Sequence, residues 1–533
     1  MIRVRRGLER RLKHARANQR LMRLAEEVAR SAPVPVSAQP VVFFNASTRL
    51  LGMSLNAAYQ LAASWSVRLA GAPVVHFACQ GGLSRCVLGT NSADPAVLPP
   101  CPGCIAQSRV VHQHHETHWF TFKADGGLEE ALKPLDLQSL MAFEWQGVPL
   151  GALCLPGLRW ALRRHHLAED DSTRFLYRQY LISAWRVVEE FRRLLDATNP
   201  RAVVVFNGMF YPEAAARWVA RQRGLRVITH EVGLRPFTAF FTTGEATAYP
   251  IDIPETFALS PEQEVRLDAY LEQRWQGNFS MAGIRFWPEM RRLDEAFLER
   301  LSHFRQVVPV FTNVIFDTSQ PHSNVVFPHM FAWLDLVLEI ARAHPETLFV
   351  IRAHPDESRP GKESRESVAA WAERRGVRSL PNVLYVDSRE YFSSYELIQR
   401  SKFVMVYNST IGLEASLMGA PVLCGGKARF TQLPTVFFPQ SVEEYRQQAE
   451  VFLTADQVTA PPEFRANARR FLYYQLYRTS LPFDDLLEED GVWPGYVRFK
   501  DHVKAASFDP RNSRVLRVIT EGILNGGNFL LED

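Results

Sequence analysis

Short apolar runs rich in valine, isoleucine and phenylalanine alternate along this chain with helix-length amphipathic segments, in two separate blocks. Continuous β-branched runs are the mark of strands buried on both faces, and their alternation with helices calls for a parallel sheet with crossover connections. In the first block VVFFNAST (41–48) precedes a helical pattern from about Leu51 to Leu69 and a second strand, PVVHFAC (73–79). A long helical run (172–197) then leads to RAVVVFNG (201–208), the helix EAAARWVARQRG and the strand LRVITHE (225–231). Gly224 suits the end of the intervening helix. The second block follows a charged helical stretch (260–305). It reads VVPVFTNV, FAWLDLVLEIARAHP, TLFVIRAHP, NVLYVD, YELIQRS, FVMVYNS, GLEASLMG and PVLCG, strand and helix in turn. Strands of about five residues between helices of about three turns suit a doubly wound sheet.

A chain of 533 residues exceeds one hydrophobic core, so two large domains are expected. The expected fold class is α/β: two Rossmann-like doubly wound domains facing a cleft, with a Cys-rich insertion and a helical connector. The boundaries are a basic helical leader (1–36), an N-terminal α/β domain (37–255) with the insertion at about 79–170, the connector (256–304), a C-terminal α/β domain (305–480) and closing helices (481–533).

The net charge of +4 is unevenly spread. Residues 1–30 hold ten Lys/Arg against three Asp/Glu, while the rest of the chain carries 51 basic and 54 acidic residues. Leu8, Leu12, Leu21, Leu24 and Val28 run among these cations, so the leader reads as a basic helix with a thin apolar stripe. Such a helix suits peripheral contact with an anionic membrane face, or packing on its own protein. Nucleic acid is not an expected partner, because the basic patch is short and lacks interleaved aromatics. No run of 18 apolar residues is present, and MIRVRRGLERRLKHARANQR lacks the apolar core of a secretory signal. The expected location is the cytoplasm, either free or with the leader at the inner face of the membrane.

The chemistry is concentrated at strand ends. In YNSTIGLEA (407–415), Asn408, Ser409 and Thr410 stand between a strand and a helix, where ligands of open parallel sheets bind. Backbone N–H groups and hydroxyls there favour a phosphate, Gly412 permits close backbone approach, and Glu414 can accept from ribose hydroxyls. Capping alone explains Ser409, Thr410 and Glu414 taken singly. A second polar strand end, IRAHP (351–355), offers Arg352 and His354 to a diphosphate, and a third, FTNVIFD (311–317), offers Asn313 and Asp317. Lys427 and Arg429 add positive charge near the same edge, or are solvated.

The succession TNVIFD, IRAHPDES, PNVLYVDS with SSYELI, and VYNSTIGLEASLMGAPVLCGG resembles that of bacterial capsule polysaccharide biosynthesis glycosyltransferases, enzymes of the two-Rossmann glycosyltransferase B architecture. The resemblance covers about residues 305–430 and, more loosely, 206–233. It implies nucleotide-sugar donor binding in the C-terminal domain through Asn313, Arg352, His354, Asn408, Ser409, Thr410, Gly412 and Glu414. It also implies acceptor binding in the N-terminal domain and no metal or other cofactor required for catalysis. Teichoic-acid polymerases share the general pattern but favour an acidic-aromatic-serine turn where this chain has YNSTIG, which argues against glycerophosphate transfer. The expected activity is transfer of a sugar, hexosyl or ulosonic acid, from a nucleotide sugar to a surface polysaccharide, a lipid-linked glycan or another glycan acceptor. A nucleotide-sugar 2-epimerase of the same architecture and a non-catalytic sugar-nucleotide scaffold are the rival readings.

Transfer with inversion needs a base for the acceptor hydroxyl. Glu231, at the end of LRVITHE, is the first candidate, His230 the second and Glu213 the third. Asn45, Ser47 and Asn207, at other strand ends, are candidate acceptor contacts. Nothing in the spacing distinguishes inversion from retention.

Four of the six cysteines, Cys79, Cys86, Cys101 and Cys104, fall within 26 residues. CPGC presents two thiols in one turn, and the upstream pair would complete a tetrahedral site, with HQHHETH (112–118) as a source of a substitute ligand. A structural zinc is the expected occupant, ahead of an iron–sulfur cluster, and four unrelated thiols are the alternative.

Overall fold

The computed structural model describes residues 2–35, 37–46, 52–276, 291–493 and 495–533. Twelve of its strands build two sheets. The first contains β1 (Val41–Asn45), β2 (Val74–Cys79), β3 (Glu116–Phe120), β4 (Ala202–Phe206), β5 (Arg226–Val232) and β6 (Thr238–Thr242). The second contains β7 (Gln306–Phe311), β8 (Thr347–Arg352), β9 (Val383–Val386), β10 (Val404–Val406) and β11 (Val422–Cys424). A last short strand, β12 (Leu481–Pro482), returns to the first sheet.

The first sheet runs β12-β6-β5-β4-β1-β2-β3, parallel from β5 to β3, with β6 and β12 antiparallel at one edge. The second runs β11-β10-β7-β8-β9 and is parallel throughout. In each, the chain winds outward from a central strand and then crosses to its other side. This creates switch points between β1 and β4 and between β7 and β10, where ligands of open α/β sheets bind.

The continuous apolar runs are explained by burial on both faces. Val42 and Phe44 enter one core of the first sheet, Val41 and Phe43 the other. Val307 and Phe311 divide in the same way from Val308 and Val310 in the second sheet. Residues 79–170 contribute the edge strand β3 and helices that include Cys101–Val111 and Leu150–Leu162. The connecting helix Pro261–Trp275 opens on a capping box of Ser260 and Gln263 and buries Leu267 and Leu271 in the core of the C-terminal domain.

The end of the chain returns to the first domain. β12 pairs with β6, and the helix Arg514–Asn525 packs Leu516, Ile519 and Ile523 into the core that the helix Leu55–Leu69 shares. The leader is one helix, Ile2–Ser31, and its Leu21, Leu24, Ala25 and Val28 are buried in that same core. Arg20 donates to the backbone carbonyls of Lys500, Asp501 and Val503. This part of the apolar stripe is therefore covered by the protein itself, whereas Leu12 is half exposed. Among the described residues no helix is long and apolar enough to cross a membrane.

Candidate functional site

A cleft of about 690 Å³ lies between the two domains. Glu231, Thr247 and Tyr249 face it from the first domain, and Asn313, His354, Asn408, Ser409 and Thr410 from the second.

On the first-domain side the wall is organised by Asn207. This residue follows β4 with φ of 59°, in the left-handed region that asparagine tolerates better than most side chains. Its Oδ1 accepts from the Met209 N–H at 2.9 Å, and its Nδ2 donates to Glu231 Oε1 at 2.6 Å. The other Glu231 oxygen accepts from the Val232 N–H at 3.0 Å. Burial holds the Glu231 carboxyl above its ordinary range, and Asp317 adds to the rise. Hydrogen bonds from Asn207, Val232 and Asn56 pull it back. A carboxylate fixed in this way, with raised basicity and an open side toward a cleft, is equipped to take a proton.

Across the cleft the polar groups meet at the second switch point. Asn313 follows β7 and Asn408 follows β10, and Asn313 Nδ2 donates to Asn408 Oδ1 at 2.6 Å. Asn408 Nδ2 in turn donates to Ser323 Oγ at 2.6 Å. Thr410 makes no capping hydrogen bond to the helix Ile411–Leu417, so capping does not account for its hydroxyl. His354 Nδ1 accepts from the Asp356 N–H at 3.2 Å, which puts the proton of the neutral ring on Nε2. Burial lowers the His354 pKa and keeps the ring neutral; Arg352 acts in the same sense, while Asp356 and Asp317 oppose it. Lys427 and Arg429 also line the cleft.

Several residues expected at the site are placed elsewhere. Arg352 is buried and donates to Ser394 Oγ at 2.6 Å. Glu414 is also buried, and its carboxylate is held by Arg274 Nη2 at 2.6 Å and by the Tyr395 hydroxyl. It fastens the connecting helix to the C-terminal domain rather than meeting a ribose. Gly412 is required by packing, since a Cβ there would stand 2.9 Å from Val406 Cγ2 and 3.0 Å from Phe430 Cζ. His230 is fully buried, with Nε2 3.2 Å from Gln60 Oε1 and its ring stacked on Phe241. Neighbouring residues of a strand point to opposite faces, so His230 and Glu231 do not share the cleft. Glu213 is fully buried in the helix Tyr211–Gln222. Asn45 is buried too, its Nδ2 3.0 Å from His76 Nδ1. Asn207 acts on Glu231, and Ser47 lies outside the described residues.

The four clustered cysteines line one cavity of about 20 Å³. Cys79 Sγ accepts from the Gly82 N–H and Cys86 Sγ from the Gly89 N–H, each at 3.2 Å. Burial pushes both thiols up to about 12. Among the described residues none of the four is joined in a disulfide, and no group of three or more His, Cys, Asp or Glu side chains is arranged to hold a metal ion. From HQHHETH, His112 packs on His76, and His115 Nε2 accepts from Trp65 Nε1 at 2.6 Å.

Cleft residues that the sequence did not single out include Arg163, Thr247, Tyr249, His322, Arg359 and Lys362. They come from the insertion and from loops outside the strand–helix rhythm, and only the tertiary fold collects them.

Residues 291–450 match the model of the family described as "Capsule polysaccharide biosynthesis protein". Among solved structures the chain is similar to Thermosulfurimonas dismutans KpsC, beta Kdo 2,4 transferase, at 13% identity, covering 53% of this chain and 80% of that one, with a TM-score of 0.34. It is also similar to the beta Kdo 2,7 transferase of the same KpsC, at 14% identity over 60% of this chain and 86% of that one, TM-score 0.33. A third likeness is to UDP-GlcNAc 2-epimerase from Neisseria meningitidis bound to UDP-GlcNAc, at 12% identity over 82% and 99% of the two chains, TM-score 0.25. No curated protein matches the chain.

Proposed function

From the premise that residues 291–450 carry the capsule polysaccharide biosynthesis match, we propose that this chain is a glycosyltransferase that moves a sugar from a nucleotide-sugar donor to a glycan acceptor. The observation that carries the reading is the pairing of a fixed, basic carboxylate at Glu231 with the Asn313, His354 and Asn408 wall across one cleft.

In the proposed reaction the Glu231 carboxylate takes the proton of the acceptor hydroxyl while that oxygen forms a bond to the anomeric carbon. The bond from the anomeric carbon to the donor phosphate breaks, and the nucleotide departs with the electron pair. Negative charge growing on the leaving phosphate is met by His354 Nε2–H, the Ser409 and Thr410 hydroxyls, and Lys427 and Arg429. Each is present before the reaction begins, so little reorganisation is needed as charge develops.

The test is Glu231→Gln in a transfer assay with capsule-type acceptors, run beside a thermal-shift panel of nucleoside diphosphates and nucleotide sugars. Bound donor raises apparent stability by mass action. The expected result is loss of transfer with the thermal shifts retained. Retained turnover would remove Glu231 from the role of base, and donor turnover without acceptor would favour an epimerase.

A further inference from the structure

Arg163 ends the insertion helix Leu150–Leu162 in the left-handed conformation, with φ of 57°. Its guanidinium is held between two rings, with Cζ 4.1 Å from the Trp160 centroid and 5.2 Å from that of Phe316. Trp160 belongs to the first domain and Phe316 to the second, so this cation is clamped across the junction. Its Nη1 is buried and has no hydrogen-bond partner among the described residues, although Arg163 lines the cleft. A guanidinium N–H in that condition forgoes a strong interaction, at a cost that a bound acceptor group would remove.

Two more cations meet it there, Arg359 and Lys362, from the loop that follows His354. Lys362 has an exposed side, yet desolvation by the cleft walls presses its ammonium below its ordinary value, with Arg359 and then Arg163 adding to the effect, while Asp356 and Asp317 oppose it. Burial likewise lowers Arg163, with Glu363 opposing. The junction is fixed by hydrogen bonds to backbone groups. The Arg365 N–H donates to the Arg163 carbonyl at 2.9 Å, and Glu366 Oε2 accepts from the N–H groups of His165 and His166 at 2.9 and 3.0 Å. Like charges gathered on a rigid frame repel one another in the free protein and are relieved by an anion.

We propose that Arg163, Arg359 and Lys362 form an anion subsite shared by the two domains, additional to the Asn408–Thr410 turn, which takes a phosphate or carboxylate of the ligand. The subsite deepens the glycosyltransferase reading: the Asn408–Thr410 turn faces the leaving nucleotide, and these three cations select a substrate carrying a second negative group. Because its cations come from both domains, it is complete only when they are held together as they are here.

The full-length chain and its Arg163→Gln and Lys362→Gln variants are titrated calorimetrically with inorganic phosphate and with glucuronate, each with and without a saturating nucleoside diphosphate. Wild type binds one of the two probes in the presence of nucleotide, and each variant weakens that binding about tenfold, as loss of one charged hydrogen bond predicts. Loss confined to phosphate or to glucuronate names the anion. A parallel tenfold loss of nucleoside diphosphate affinity would make these cations part of the donor phosphate site and overturn a separate subsite. Unchanged binding of every probe in both variants overturns the proposal, as does a wild type that binds neither anion while both variants keep full nucleotide affinity. Absence of nucleotide binding by wild type, with phosphate binding still lost in the variants, would count against the transferase reading and leave the subsite standing. Lys362 lies on the exposed side of its loop, so its variant tests the idea even if Arg163→Gln fails to fold.

Discussion

Asn207 donates to Glu231 at 2.6 Å from a left-handed backbone, so a residue at the end of one strand sets the basicity of a carboxylate at the end of the next. The bond stabilises the ionised form and opposes the rise that burial causes. Glycine keeps the positive φ and removes only the amide. Asn207→Gly is therefore expected to shift the acidic limb of the transfer pH profile upward, by up to about one unit for a bond of ordinary strength. Activity well above the limb should be recovered in large part. A pH–kcat/KM profile checks this, and an unshifted limb would mean that Asn207 does not act through Glu231.

The buried pair of Arg274 and Glu414 ties the connecting helix to the C-terminal domain. Removing one partner strands the other charge out of water, which costs about 3–5 kcal/mol. Arg274→Met should accordingly lower the Tm sharply. At a temperature where the variant stays folded, nucleoside diphosphate affinity should hold, because Glu414 has no place in the cleft wall. Calorimetric unfolding and titration on the same sample separate the two effects. A large loss of nucleotide affinity in folded protein would return Glu414 to the donor site.

Much of the fold is legible in the sequence because both sheets are buried on two faces, which writes each central strand as an unbroken apolar run. The edges are harder to read. ETHWF at β3 is largely polar and half exposed, and β12 is only two residues long. The return of the chain end to the first sheet leaves no local signature at all. At the site, strand-end position locates Asn313, His354, Asn408 and Glu231, but it does not tell which way a side chain points. Arg352 and His354 are two residues apart, yet β8 ends at Arg352, so the next residues leave the sheet and only His354 reaches the cleft. Glu414 and Gly412 fit a ligand-binding motif equally well on paper. Their partners, Arg274, Tyr395, Val406 and Phe430, lie outside the motif or behind it.

Glu357 supplies a pH-dependent test of stability. Its side chain is buried after β8, and desolvation pushes its pKa from 4.5 up to about 8, with the Val368 N–H as a partial offset and Asp387 adding to the rise. The folded state thus holds a proton that the unfolded state has released. Stability from this group is full below the ordinary carboxyl value and falls as pH rises toward about 8. The slope is about 1.4 kcal/mol per pH unit within that window. Glu357→Gln should flatten the slope and become the more stable protein at the alkaline end. Urea unfolding at several pH values measures it, and parallel curves for the two proteins would contradict the buried, protonated carboxyl.

In the proposed donor site, His354 is the group whose protonation state bears most directly on binding. Its Nδ1 is occupied as an acceptor by the Asp356 N–H, and burial holds the ring below the ordinary imidazole value of 6.5. In the proposed donor site a neutral Nε2–H serves as a hydrogen-bond donor to phosphate without carrying charge. Loss of such a bond in His354→Ala should weaken nucleoside diphosphate binding by up to about tenfold. The ratio of wild-type to variant affinity should also change little from pH 8 down to 6.5, because burial holds the ring's pKa below that range. Taking the ratio cancels the ligand's own titration, which both proteins share. A ratio that climbs as pH approaches 6.5 would show the ring charging in the complex, and the phosphate contact would then be an ion pair in place of the neutral bond assigned here.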